Sequence, residues 1–308
     1  SGEPMIAAGI DLGGTKIETQ IFDADWQCID QRRVPTPKVY DALVAALAGE
    51  VRWAKARADI PVGIGAAGLV NPASGLALAA NLCANGRPLP ADVARSAGAV
   101  VTYMNDCRAL VLSEAIFGAG RGHRVVAGLV LGTGVGGGLA TAGALHPSGR
   151  QISGEFGHLA APAHLVVQHG LPLVRCGCGR VGCIETLIAG AGLARIAQVK
   201  LGRRMGSKEI ATQRHRDPAV AQVWDIWVSL VVDLLNTISR ICDPDIIVLG
   251  GGLSQMSGVV AALQQGLGAL QFAGFETARV ALAQGGETSG ARGAAYTAWQ
   301  ADQARDQT

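Results

Sequence analysis

The stretch Gly9-Ile10-Asp11-Leu12-Gly13-Gly14-Thr15-Lys16 decides how the chain is read. A short apolar run, Ile6–Asp11, ends on an acid. Two glycines then turn the backbone, and Lys16–Asp23 alternates as a returning strand. Taken alone, this is a β-hairpin turn. It is also the outline of a phosphate site. Residues without a Cβ let backbone N–H groups approach an anion, Asp11 can hold Mg²⁺ through water, and Thr15 offers a hydroxyl. A short glycine motif does not decide between the two readings.

The theme returns twice. Leu131-Gly132-Thr133-Gly134-Val135-Gly136-Gly137-Gly138 follows the apolar run Val125–Leu131 and precedes a second strand expected at Leu139–Ala144. Val248-Leu249-Gly250-Gly251-Gly252-Leu253 follows the apolar run Ile246–Leu249. Glycine at this density costs backbone entropy unless something must come close. The order acid–GG–T, then GTG, then GGG is more specific than any one turn. No GxxxxGK[ST] is present and no GxGxxG follows the first strand, so neither a Walker loop nor a dinucleotide fingerprint explains the pattern.

Working outward, 308 residues suit two lobes of about 150 residues each. Apolar residues make up 49%, charged residues 16% and aromatics 4%, with 43 glycines. That mixture favours Ala/Val/Leu-rich α/β layers over an aromatic-rich sandwich. Net charge is only +2, and the adjacent arginine pairs Arg32-Arg33 and Arg203-Arg204 make no basic tract, so no nucleic-acid partner is expected. The uncharged stretches Ile60 to Gly86 and Val125 to Gly149 are broken by Gly, Asn, Pro or Ser, so no membrane span is expected. No signal peptide is read at the N-terminus, and a cytoplasmic location is expected.

The first lobe is expected over residues 1–120, with strands at Gln27–Val34, Pro61–Gly65 and Val100–Met104. Helices are expected at Asp41–Lys55, Pro88–Gly98 and Cys107–Phe117. A boundary falls near Gly118–Arg124. The second lobe is expected over 121–289, loop-rich from Ser148 to Cys183. It then has helices at Ile184–Leu201 and Val223–Ile241 and a strand at Arg279–Ala283. A closing helix over 290–308 is expected to pack back on the first lobe.

Asn105-Asp106 lies where a strand gives way to a helix, and a carboxylate there is a good N-cap. Of seven cysteines, Cys176, Cys178 and Cys183 crowd into one loop. Three soft ligands at that spacing, with one histidine, make a closed structural zinc set in a reducing compartment. His158, His164 and His169 are all candidates for the fourth ligand.

With these motifs in order the chain resembles the ROK (repressor, ORF, kinase) family of sugar kinases. The resemblance runs over nearly the whole chain: GIDLGGTK (Gly9–Lys16), Asn105-Asp106-Cys107, GTGVGGG, GEFGH (Gly154–His158), CGCGRVGCIE (Cys176–Glu185), VLGGG and GARGAA. It implies the two-lobed α/β fold shared by actin, hexokinase and the heat-shock ATPases, with ATP and sugar in the interlobe cleft. It also implies that Asp11, Gly13, Gly14, Thr15 and Lys16, with Thr133 and Gly134, contact phosphates and Mg²⁺. Gly250, Gly251 and Gly252 then lie beside the nucleoside. Asp106 becomes the catalytic base, accepting the sugar hydroxyl proton; one placed carboxylate, Mg²⁺ and turn amides suffice for phosphoryl transfer. Glu155, His158 and Glu185 surround the sugar, His158 also closes the zinc set, and Gly68, Asn81 and Asn105 complete the sugar contacts. At Gly65-Ala66-Ala67-Gly68 the chain departs from the family, in which a proline commonly precedes the second glycine.

The 17 residues between His158 and Cys176, and the run Asn81–Val93, are most similar to bacterial N-acetylglucosamine kinases. N-acetylglucosamine is therefore the expected acceptor, phosphorylated at its 6-hydroxyl, by a homodimer. Fructokinases, glucokinases and N-acetylmannosamine kinases share the core motifs and stand as alternatives. Sugar-responsive regulators of the family carry a DNA-binding domain ahead of the first glycine turn. None is expected here, nor a zinc-stabilised sugar-binding protein without catalysis.

Overall fold

The computed structural model describes residues 4–79 and 81–305. They fall into two units. The first takes the chain up to Gly118, the segment Leu145–Ser153 and the chain from Gln284 onward. The second takes Ala119–Ala144 and Gly154–Ala283. The excursion of Leu145–Ser153 into the first unit has no mark in the sequence.

In the first unit the chain runs β1 (Met5–Leu12), β2 (Lys16–Asp23), β3 (Cys28–Pro35), α1 (Tyr40–Lys55), β4 (Val62–Ala66), the short β5 (Leu69–Val70) and β6 (Ala77–Leu78), α2 (Leu89–Ala97), β7 (Thr102–Asn105) and α3 (Asp106–Phe117). Its main sheet has the order β3-β2-β1-β4-β7. β1 to β3 form an antiparallel meander. β4 and β7 add in parallel, with Leu12 opposite Ala66 and Ala66 opposite Asn105. One face carries Ile10, Leu12, Ile17 and Ile64 against Leu43, Leu47 and Val51 of α1. This i, i+4, i+8 stripe is what the spacing in Asp41–Lys55 predicts.

The other face receives the last helix. A Cβ at Gly9 would lie 1.8 Å from the Ala291 carbonyl oxygen, and one at Gly63 would lie 2.0 Å from that of Ala294. Only bare backbone lets the two elements meet so closely.

The second unit repeats the plan: β8 (Val125–Leu131), β9 (Val135–Thr141), β10 (Ala144–Leu145), α4 (Ala163–His169), α5 (Glu185–Ile188), α6 (Gly190–Leu201), α7 (Ser207–Gln213), α8 (Pro218–Cys242), β11 (Ile246–Gly250), α9 (Val259–Ala269) and β12 (Arg279–Leu282). The sheet order is β10-β9-β8-β11-β12, again a meander extended by two parallel strands. α10 (Thr288–Arg305) closes the chain in the first unit. The expected end of that helix at 308 lies outside the described residues.

Several boundaries differ from the sequence expectation. The returning strand covers Val135–Thr141 rather than Leu139–Ala144, because the glycine run itself pairs with β8. The helix expected over Ile184–Leu201 breaks at Ala189, where the Gly190 amide donates to the Gly132 carbonyl instead of continuing the ladder. α8 is long and apolar enough to cross a membrane by length and composition. It is the core helix of its unit, burying Val223, Trp227, Leu230, Val231, Leu234 and Ile238.

Candidate active site

In the first unit the turn after β1 is tight: the Gly13 amide donates to the Lys16 carbonyl at 2.9 Å. The turn's own carbonyls are held from outside. Thr36 Oγ1 donates to Gly13 O at 2.7 Å, and Lys38 Nζ to Gly14 O at 2.6 Å. The amides of Gly14 and Thr15 have no partner among the described residues, and the Thr15 side chain is exposed. Free N–H groups beside exposed hydroxyls are what an anion needs. Thr36 and Lys38 escape sequence reasoning because no local motif marks a residue more than twenty positions away. Lys16 is drawn aside by Glu18 at 3.3 Å and Glu287 at 3.7 Å.

Asp11 stands at the end of β1, close to the first turn of α10. A Cβ at Gly290 would lie 3.3 Å from its carboxylate. Burial first, then the charge of Asp106, pushes Asp11 up to about 6. Asp106 opens α3, and burial likewise raises its pKa. Its Oδ1 accepts from the Cys107 amide at 2.8 Å, which fixes the side chain across the helix start. Two partly desolvated acids thus sit at the carboxyl ends of parallel strands, where open α/β sheets present their ligand sites.

Asn105 caps α3 through Oδ1, which accepts from the Arg108 amide, while its Nδ2 donates to the Gly68 carbonyl at 2.9 Å. Gly68 has φ +92°, and a Cβ there would lie 2.2 Å from the Leu78 carbonyl oxygen. Its missing side chain therefore serves backbone packing and the support of Asn105. Asn81 is exposed, with its carbonyl 3.8 Å from where a Gly14 Cβ would be.

In the second unit the turn after β8 is tighter by one residue than the first. Gly132 N donates to Gly134 O at 3.0 Å, and the amides of Thr133 and Gly134 have no partner among the described residues. Both residues are exposed. The next amide, Val135 N, donates to Glu185 Oε2 at 2.7 Å. The later glycines of the run have another reason to be there. A Cβ at Gly137 would lie 2.6 Å from the Phe156 ring, and one at Gly157 would lie 2.2 Å from Val135 O. The GEFGH segment lies flat on β9, so these glycines serve protein packing and not phosphate. In Gly250–Gly252, Gly251 takes φ +83° and its Cβ would fall 2.3 Å from Leu131 O, whereas Gly252 has open space around it.

His158, Cys176, Cys178 and Cys183 offer ligand atoms all within 4.8 Å of one another. His158 Nδ1 lies 3.6 Å from Cys176 Sγ, and Cys178 Sγ lies 3.5 Å from Cys183 Sγ. A tetrahedral zinc with Zn–S near 2.3 Å has edges of about 3.8 Å, so this donor set fits one. Burial pushes the Cys183 thiol up to about 12 and raises Cys176, so binding a metal there must expel protons. With Nδ1 on the cluster, His158 Nε2 faces Glu155 Oε2 at 3.8 Å. Glu185 touches two features at once, its Oε2 on the glycine turn and its Oε1 3.7 Å from Cys176 Sγ. His164 stands apart, 3.8 Å from Asp233.

The sequence and the fold are similar to those of known proteins. A family model described as the ROK family matches residues 7–301. An N-acetylgalactosamine kinase of Shewanella sp. (strain ANA-3) is 40% identical over 292 residues, covering 93% of this chain and 94% of its own. An N-acetyl-D-glucosamine kinase of Pectobacterium atrosepticum is 36% identical over 294 residues, covering 93% and 97%. Among solved structures, a ROK hexokinase from Thermus thermophilus is similar with a TM-score of 0.85 at 29% identity, covering 98% of this chain and 100% of that one.

Proposed function

The chain belongs to the ROK family, and we propose that it is an ATP-dependent kinase of 2-acetamido sugars that phosphorylates N-acetylglucosamine at its 6-hydroxyl. Its fold is the α/β actin-like ATPase fold of the family's sugar kinases. One observation carries the chemistry: a desolvated carboxylate, Asp106, opens a helix in the same unit as a glycine turn whose Gly14 and Thr15 amides have no partner among the described residues.

The 6-hydroxyl oxygen attacks the γ-phosphorus in line. The new O–P bond forms as the bond to the leaving ADP oxygen breaks, and Asp106 takes the hydroxyl proton. A carboxylate raised toward neutrality is a better proton acceptor than a solvated one. The turn amides at Gly14, Thr15, Thr133 and Gly134 stabilise charge on the phosphates without reorganising. Gly250–Gly252 receive the nucleoside, with Gly252 the open position. Mg²⁺, held by Asp11 through water, would neutralise phosphate charge. Asn81 and Asn105 bind hydroxyls midway round the ring. Glu155, His158 and Glu185 bind those near the anomeric end, and Glu185 keeps lone pairs for a sugar after its bond to Val135. The Cys176, Cys178, Cys183 and His158 set would hold one structural Zn²⁺, which fixes His158 so that its second ring nitrogen faces Glu155.

The acceptor rests on the relatives, both of which are named for 2-acetamido sugars. A second reading, N-acetylgalactosamine, is favoured by the 40% identical relative. The two sugars differ only in configuration at C4. The test is kcat/KM for N-acetylglucosamine, N-acetylgalactosamine, N-acetylmannosamine, glucose and fructose under one set of conditions. N-acetylglucosamine should lead. A tenfold advantage for N-acetylgalactosamine selects the second reading, and one for glucose or fructose removes the acetamido assignment.

A further inference from the structure

Arg108 is the third residue of α3, two beyond Asp106, and is only 7% exposed. Arginine goes under the surface when its fixed fork of donors is met. Here Nε donates to the Ser153 carbonyl at 3.0 Å, one terminal nitrogen to Gln151 Oε1 at 3.2 Å, and the other to the Gln151 carbonyl. All three acceptors lie on Leu145–Ser153, the segment that joins the first unit from the middle of the chain. Gln151 itself holds a left-handed φ of +59°, which costs a residue with a Cβ about 1 kcal/mol and persists where neighbours fix it.

The backbone of Arg108 faces the other way. Its amide donates to Asn105 Oδ1 at 3.2 Å, and Asn105 in turn donates to Gly68 O. One residue therefore secures both the Asn105–Gly68 pair and the last turn of Leu145–Ser153. The chain passes from Ser153 directly into Gly154–His158, the run that carries Glu155 and His158.

We propose that Arg108 is a positioning residue for the sugar. By pinning Gln151 and Ser153 to α3 it fixes where the sugar-binding run begins, and it touches neither sugar nor phosphate. The proposal rests on the kinase reading above. Lysine cannot stand in, because a single ammonium does not span two carbonyls and an amide oxygen in one plane.

The experiment uses the full chain with Arg108→Lys and, separately, Gln151→Gly, which keeps the left-handed backbone and removes one acceptor. Arg108→Lys should raise KM for N-acetylglucosamine about tenfold, with KM for ATP within about twofold and kcat within about threefold. Trypsin cleavage after the exposed Arg150 should quicken about tenfold. Gln151→Gly should show the same pattern at about threefold. Equal rises in both KM values, or an unchanged sugar KM in Gln151→Gly should Arg108→Lys fail to fold, overturns the proposal. If the wild type phosphorylates no sugar, the kinase reading fails instead. Cleavage at Arg150 still reads the clamp, and an unchanged rate in Arg108→Lys rejects it.

Discussion

The two five-stranded sheets share one strand order, yet the ends of their strands carry different chemistry. After β1 and after β8 the backbone turns tightly over different spans, Gly13 N to Lys16 O at 2.9 Å and Gly132 N to Gly134 O at 3.0 Å. Each turn leaves two amides without partners among the described residues. Beside the first turn stand Asp11 and Asp106, acids that burial pushes up. Beside the second stands Glu185, already committed to Val135 N and facing a thiol cluster. Two glycine turns of different length thus each present free N–H dipoles. In the proposed function the side chains gathered around each turn divide the work: the first unit offers a proton acceptor, the second a thiol and histidine set able to hold zinc beside Glu155 and Glu185.

The strongest test of that division is Asp106→Asn. A placed base is worth about 10²–10⁴-fold, so kcat should fall at least that far while sugar affinity, read by calorimetry, holds within about threefold. A variant retaining a tenth of the wild-type kcat would remove Asp106 from the role. On the other side, Cys183→Ser should reduce zinc from the proposed one per chain to under about a tenth, by elemental analysis after dialysis against a chelator, because loss of a thiolate weakens the site. Sugar KM should rise with it. Full zinc content in that variant would break the contrast.

Glycines sharpen the comparison at smaller scale. Gly137→Ala drives a methyl into the Phe156 ring and the Gly128 carbonyl, and should cost about 1–3 kcal/mol in urea unfolding. Gly14→Ala meets only the Asn81 carbonyl, at 3.8 Å. It should change stability by less than about 0.5 kcal/mol and act on KM for ATP instead. If the two effects came out reversed, the roles given to the runs would be exchanged.

The smallest effect is in pH. An acid whose pKa is raised in the folded state stabilises it below the ordinary carboxylate range, and that stability is lost as pH rises through the folded value, about 6 for Asp11. Asp106→Asn removes one raised acid and also the second cause of the Asp11 shift. The stability gained on acidifying from pH 7 to pH 4 should therefore be smaller in the variant than in the wild type. An equal gain would mean that neither the raised Asp106 carboxyl nor its charge on Asp11 contributes to the pH dependence.

Much of the fold is legible in the sequence. The apolar run ending at Asp11, the alternation of Lys16–Asp23 and the i, i+4, i+8 stripe in α1 lie within single elements, where periodicity speaks directly. The three cysteines draw attention through spacing alone. The hidden features depend on the meeting of distant segments. Gly137 looks like a ligand glycine until Phe156 is seen against it. α4 and α7 escape a reading by period because each is only seven residues long. Arg108 looks like any helix residue until Gln151 and Ser153 return to it.

The central claim is transfer of phosphate from ATP to a sugar hydroxyl with Asp106 as proton acceptor. ³¹P and ¹³C NMR of a mixture of enzyme, Mg²⁺, ATP and N-acetylglucosamine reads it most directly. One equivalent of ADP is expected for each N-acetylglucosamine 6-phosphate, with phosphorus coupled to C6, and at least about a hundredfold slower product formation by the Asp106→Asn protein. ADP appearing without a phosphosugar, or a phosphosugar formed at the wild-type rate by that variant, would contradict it.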